Sequence, residues 1–313
     1  CRSSAVHYVR VSEYDLVVVG AGLAGLTAGM YAARFGLKTL ILEQMAAGGQ
    51  VLNVEKIENY PGFPQGISGF DLGPLVQEQA EAAGAEFAMH TASALAVNGD
   101  ERTVHCDGAD YSASAVVIAT GSSFRTLGVP GEAEFVGRGV SHCASCDAPF
   151  FIGKDVCVIG GGDSALDEAA VLAQQVGHVL LIHRGPNFRA QHIAVERLSG
   201  LSNVEVEFNT QVLAIEGDQS VSGVRVQSDG SQRLQDVSGV FVFVGLEPNT
   251  AFVQGVVDLD GAGHVVVDER LQSSVPGVFA AGDLRQHSVA QLAAAAGDGA
   301  TVAVNVFRYL RGG

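Results

Sequence analysis

Cys143 and Cys146 stand in the stretch Cys143-Ala-Ser-Cys146-Asp147, a spacing suited to thiol–disulfide exchange, with the Asp147 carboxylate beside it to shuttle the proton. A glycine-rich turn lies on either side in the chain, Gly20-Ala-Gly22-Leu-Ala-Gly25 before it and Gly160-Gly-Gly162-Asp163-Ser164-Ala165 after it. Each turn follows a short apolar run and opens a helical stretch, the pattern by which backbone amides approach a dinucleotide's pyrophosphate. Two such turns about a domain's length apart, with a dithiol between them, point to an electron relay from a nicotinamide through a flavin to a disulfide.

Other uses of the cysteines fit less well. A tetrahedral zinc site needs a second ligand pair at similar spacing, and neither Cys106 nor Cys157 supplies one. Cys157, inside Val156–Ile159, reads as a small core residue of a strand, and Cys1 and Cys106 have no close cysteine neighbour. Five cysteines in a chain of 313 residues do not make a disulfide-stapled fold, so a reducing compartment, the cytoplasm, is expected. His142 competes with Asp147 as proton carrier, although a His beside a loop cysteine is more often a surface residue.

The two turns differ in the strands downstream of them. After the first comes the strand Lys38–Glu43, whose tip, Glu43, accepts hydrogen bonds from a ribose diol and disfavours a 2′-phosphate, which suits FAD or NAD. Gly20 permits the tight turn, Gly22 the close backbone approach, and Gly25 the packing of helix on strand. After the second turn, where Ala165 takes the third glycine's place, the strand His178–His183 lacks an acidic tip. Arg184 and Arg189 come next, cations placed for a 2′-phosphate, which favours NADP.

The bulk numbers bound the class. The chain is 47% hydrophobic and 17% charged, enough apolar sequence for two ordinary domains. Its net charge of −16, with no basic run, argues against nucleic acid. Leu16 to Ala33 is free of charge, yet Gly20, Gly22, Gly25 and Gly29 break it into strand, turn and helix, so no membrane span is expected. Cys1 to Arg10 lacks the apolar core of a secretory signal and reads as a leader remnant or an irregular start.

Apolar runs ending in glycine recur at Ala115–Gly121, Gly239–Gly245 and Gly277–Asp283, the last followed by an Ala-rich helical stretch from Val289 towards Leu310, interrupted at Gly297–Gly299. The pattern predicts an α/β fold of two doubly wound, Rossmann-like nucleotide-binding domains, the second inserted into the first. The boundaries are placed at 12–123 and 249–313 for a split FAD-binding domain and 124–248 for an NADPH-binding domain carrying the cysteine pair. Leu201 to Gly239 reads as an alternating β segment that completes the insertion.

In motif order the chain resembles the low-molecular-weight thioredoxin reductases, within the flavin-dependent pyridine nucleotide disulfide oxidoreductases. The likeness excludes about the first ten residues and rests on both glycine turns, Gly48-Gly-Gln50, Glu58–Phe63, Ala119-Thr120-Gly121, Cys143–Asp147 and Gly282-Asp283. A similar core occurs in the flavoprotein subunit of alkyl hydroperoxide reductase, whose extra N-terminal thioredoxin-like region is not expected here. The resemblance implies that the first turn and Glu43 hold the adenosine half of FAD, that Gln50 and the Pro61-Gly62 loop lie by the flavin, and that Asp283 binds the FAD chain. It adds Thr120, Gly121, Gly282 and Gln291 to the FAD site, and Asp163 and Ser164 to the NADPH turn. It further implies that Cys146 faces the flavin, that Cys143 exchanges with a thioredoxin-like protein, that Asp147 carries the proton, and that the enzyme is a homodimer alternating between two domain orientations.

Three positions depart from that pattern. Gly185 stands where members commonly have a second arginine, at a cost of roughly 1.5–3 kcal/mol for a lost charged contact. Ala290-Gln291-Leu292 replaces Arg-Gln-Ala, and Ala148 replaces the glycine after Asp147. The departures keep two alternatives in view, a flavin dithiol oxidase and a ferredoxin-dependent thioredoxin reductase, beside a non-enzymatic flavin redox sensor.

Overall fold

The structure is a computed structural model, and residues 13–312 of it are described. The stretch Cys1 to Arg10, read above as a leader remnant or irregular start, lies outside the described residues. The chain divides into two compact units, one made of the residues up to Ser122 together with those from Pro248 on, the other of Ser123–Glu247.

The first unit is built around the strand Tyr14–Val19, which pairs in parallel with Thr39–Glu43 on one side and Asp110–Ile118 on the other. Leu16, Val17 and Val18 are fully buried, as expected of a central parallel strand covered on both faces. Glu86–Met89 extends the sheet beyond Thr39–Glu43, and Val278–Ala280 pairs in parallel with Asp110–Ile118. Asp110–Ile118 is longer than the expected run from Ala115, because its first half pairs with an antiparallel hairpin, Ala92–Asn98 and Glu101–Cys106.

Helices Leu23–Arg34 and Leu292–Arg311 pack against each other in this unit. The expected interruption at Gly297–Gly299 is corrected: the second helix runs unbroken through it. A Cβ on Gly299 would lie 2.3 Å from the Ala24 carbonyl oxygen, so this glycine permits close helix approach instead of ending the helix.

The second unit has a five-stranded sheet in the order Val204–Glu207, His178–Ile182, Asp155–Gly160, Gly239–Phe243, Val140–Ser141, parallel throughout. Gly239–Phe243 is buried at every position, and Cys157 is fully buried in the neighbouring strand. The segment from Leu201 splits in two: Val204–Glu207 joins the parallel sheet, and Gln211–Gly217, Val221–Ser228 and Ser231–Asp236 form a separate antiparallel sheet. Among the described residues no helix is long and apolar enough to cross a membrane, and Leu16 to Ala33 is a strand, a turn and most of a 12-residue helix.

Candidate active site

Cys143 and Cys146 are disulfide-bonded, with Cα atoms 5.4 Å apart, at the start of the short helix Ala144–Asp147. The Cys146 N–H donates to Cys143 Sγ at 3.3 Å, so the backbone places a donor on that sulfur, a contact that favours a thiolate there once the bond is reduced. Ser141 fixes the entry to the helix: its Oγ accepts from the Cys143 N–H at 3.0 Å. Glu168 holds the other side, its Oε2 accepting from the Ala144 N–H at 2.6 Å. Glu168 lies on the helix Asp163–Leu172 that the second glycine turn opens, so one short bond ties the dithiol to the nucleotide motif. The sequence reading missed Glu168, because no local pattern connects it to a cysteine 25 residues upstream.

Asp147 ends that helix half-buried, its N–H donating to the Cys143 carbonyl at 3.3 Å. His142 is held more firmly than a surface residue. Its Nδ1 lies 2.9 Å from the Val242 carbonyl oxygen, which accepts only, so Nδ1 carries the proton, and its ring stacks on Phe124 at a 6° interplanar angle.

Gly160, Gly162, Asp163, Ser164, Ala165, Arg184 and Arg189 all line one cavity of about 420 Å³ in the second unit. Gly162 has open space where a Cβ would stand, the approach a pyrophosphate needs. The Arg189 N–H donates to the Gly161 carbonyl at 2.7 Å, pinning the arginine loop to the glycine turn. Asp163 braces the same loop, its carboxylate accepting from the Gln191 N–H at 2.7 Å and from Gln191 Nε2 at 2.9 Å. His183 is buried beneath the loop among Phe188 and Phe208. Burial, with Arg189 next, pulls its pKa below the usual histidine value, so the tip of this strand stays neutral and leaves the cavity to the arginines. Cys143, Cys146 and Asp147 do not line this cavity.

In the first unit Gly20, Gly22, Gly25 and Glu43 come together. Gly20 has φ +103°, and a Cβ on Gly25 would fall 1.9 Å from the Gly20 carbonyl oxygen. A Cβ on Gly22 would meet nothing within 4 Å, which leaves its backbone open to a phosphate. Glu43 Oε2 accepts from the Ala21 N–H at 2.8 Å, which fixes the carboxylate beside the turn. A Cβ on Gly282 would meet the Ala24 Cβ at 2.9 Å, so Gly282-Asp283 reaches the same turn. Burial raises the pKa of Asp283, while the Ser288 hydroxyl donates to it at 3.3 Å.

Gln50 Nε2 donates to the Ser122 carbonyl, and the Thr120 hydroxyl donates to the Asn249 carbonyl at 2.7 Å, with Gly121 next to it at φ +62°. Pro61 and Gly62 are exposed in a loop, and Gln291 receives a bond from Asn59 Nδ2 at 3.2 Å two residues before that loop. The sequence reading also missed Asp298. Its carboxylate accepts from Arg285 Nε and Nη2 at 2.5 and 2.9 Å and from the Gly282 N–H at 3.0 Å, bracing the Gly282-Asp283 turn.

The fold and these sites define an oxidoreductase class: two strand–turn–helix dinucleotide motifs and a redox disulfide in one chain. The profile of the pyridine nucleotide-disulphide oxidoreductases matches residues 14–299, and the chain belongs to that family. The thioredoxin reductase of Treponema pallidum is 40% identical over 301 residues, covering 96% of this chain and 98% of that one. The thioredoxin reductase of Mycolicibacterium smegmatis is 42% identical over 300 residues, 95% and 96% of the two chains. The crystal structure of Lactococcus lactis thioredoxin reductase has a TM-score of 0.94 at 36% identity and covers 96% of this chain and 100% of its own. The enzyme is a flavoprotein that takes FAD and NADPH as its cofactors.

Proposed function

We propose that this chain is an NADPH-dependent reductase of a thioredoxin-like protein, in which the Ser123–Glu247 unit binds NADPH, the other unit binds FAD, and Cys143 and Cys146 carry the electrons to the partner. The observation that carries the reading is the Cys143–Cys146 disulfide, set on a helix start with a backbone donor on Cys143 Sγ.

Open space above Gly22, the fixed Glu43 carboxylate and the half-buried Asp283 suit, in turn, the diphosphate, the adenosine and the ribityl chain of FAD. Gln50, Pro61, Gly62, Thr120, Gly121, Gly282 and Gln291 complete the set that would hold it. FAD, when bound, supplies the two-electron exchange between a nicotinamide and a disulfide. Gly160, Gly162, Asp163, Ser164 and Ala165 would receive the NADPH diphosphate at the start of their helix, and Arg184 and Arg189 its 2′-phosphate.

The protein step then balances on this chain's own residues. The reduced Cys143 thiolate attacks one sulfur of the partner's disulfide, forming a mixed disulfide and expelling the partner's other sulfur as a thiolate, which takes a proton. Cys146 attacks Cys143, re-forms the Cys143–Cys146 disulfide and releases the partner's second sulfur. Asp147 takes the proton from Cys146 and returns one to the leaving thiolate. We place the enzyme in the cytoplasm, where the cycle needs a reducing compartment, and as a homodimer, which light scattering at working concentration checks.

The test is NADPH oxidation coupled to reduction of a thioredoxin. Turnover is expected with the wild type and lost in Cys146→Ser with FAD still bound. Turnover that survives in Cys146→Ser would refute the reading.

A further inference from the structure

The cavity of the second unit is lined by three arginines, and only two of them are explained by the 2′-phosphate of NADPH. The third is Arg125. It is exposed, and among the described residues it makes no ion pair. Among the described residues the only carboxylate lining the cavity belongs to Asp163, and both its oxygens are taken by Gln191. In a chain of net charge −16, a cavity with three cations and one engaged acid is a strong local reversal of sign.

The sheet order separates the three arginines. Arg184 and Arg189 follow the strand His178–Ile182, on one side of Asp155–Gly160 and its glycine turn. Arg125 belongs to the other side. Its N–H donates to the Gly245 carbonyl at 2.9 Å, just past the strand Gly239–Phe243. A dinucleotide that crosses the strand ends, with its diphosphate on the glycine turn and its 2′-phosphate at Arg184 and Arg189, extends its remaining half towards Gly245.

We infer that Arg125 is a binding residue for the diphosphate of the nicotinamide nucleotide, on the nicotinamide side of the glycine turn. The inference rests on the reading of this cavity as the NADPH site and adds a contact which that reading does not contain. It gives the site a third cation despite glycine at position 185. The diphosphate is common to both nicotinamide dinucleotides and the 2′-phosphate is not, so Arg125 contributes affinity without contributing to the choice between them.

Isothermal titration calorimetry of the FAD-loaded protein with NADP⁺ and, separately, NAD⁺ tests this without turnover. Arg125→Gln is expected to weaken both by a similar factor, about tenfold or more for a lost charge-assisted contact, with the ratio of the two affinities unchanged. Arg125→Lys should recover part of the loss, and Arg184→Gln should weaken NADP⁺ alone. If Arg125→Gln binds both nucleotides within twofold of the wild type, or weakens only NADP⁺, the assignment is wrong while the cavity remains the nucleotide site. If the wild type binds neither, the reading of the cavity fails and the inference with it.

Discussion

The two glycine turns of this chain start from one sequence pattern and solve it differently. In the first, helix and strand lie so close that a Cβ on Gly25 would sit 1.9 Å from the Gly20 carbonyl oxygen. In the second, Ala165 occupies the equivalent place, while the first glycine is crowded in both turns, a Cβ on Gly20 lying 2.5 Å from the Ala119 carbonyl oxygen and one on Gly160 2.4 Å from the Phe243 carbonyl oxygen. The strand tips diverge as well. Glu43 is locked to the Ala21 amide, whereas the second tip has a buried neutral His183 followed by Arg184, with Arg189 pinned to Gly161. On the proposed function, a shared backbone device would receive a diphosphate in both units, and the residues around its rim would decide which nucleotide each one takes.

The comparison breaks most sharply at the third glycine. Gly25→Ala should cost several kcal/mol, since the obstructing atom is backbone. We expect loss of FAD from the purified protein, read by flavin absorbance. Ala165→Gly should cost only about 1 kcal/mol, as a helix-interior glycine does, and leave flavin content intact.

Next in size is the brace behind the first site. Asp298→Asn leaves Arg285 half-enclosed without its carboxylate and frees the Gly282 turn, at a cost of about 2–3 kcal/mol. Thermal unfolding should fall, with weaker FAD retention and unchanged NADP⁺ affinity. Removing the rim cations sharpens the comparison from the other side. Arg184→Gln with Arg189→Gln should lose about 1.5–3 kcal/mol of NADP⁺ binding and bring NADP⁺ and NAD⁺ affinities together, whereas Glu43→Gln should not alter that ratio.

The smallest effect concerns pH. The folded-state pKa of His183 is depressed, so as pH falls below about 6.5 the unfolded chain takes up a proton that the folded chain does not. Stability of this unit should decline with acid from that point down to the folded pKa. His183→Phe, which keeps a ring against Phe188 and Phe208, should make the melting temperature less dependent on pH in that window.

Much of this was legible in the sequence because it is local. Each glycine turn, the cysteine pair and the arginines after His183 lie within short stretches whose spacing carries their chemistry. Gly297–Gly299 resembles a helix break in the sequence, whereas Gly299 answers to a neighbour, Ala24, far away in the chain. The hairpin Ala92–Cys106 carries a local turn signal, Asn98-Gly99-Asp100, with Gly99 at φ +61° in the turn. Arg125, Glu168 and Asp298 had none. Each acts on a segment that only the folded sheet order or a helix packing brings to it.

Whether electrons from NADPH reach the Cys143–Cys146 pair is measured most directly by an anaerobic titration of the FAD-loaded protein with NADPH, followed by alkylation and peptide mass mapping. The oxidised flavin should bleach with NADPH far more readily than with NADH, and alkylated Cys143 and Cys146 should appear while Cys157 stays buried and unmodified. Flavin that bleaches with dithionite but with neither nicotinamide, or that bleaches with NADPH while Cys143 and Cys146 stay bonded, would contradict that transfer.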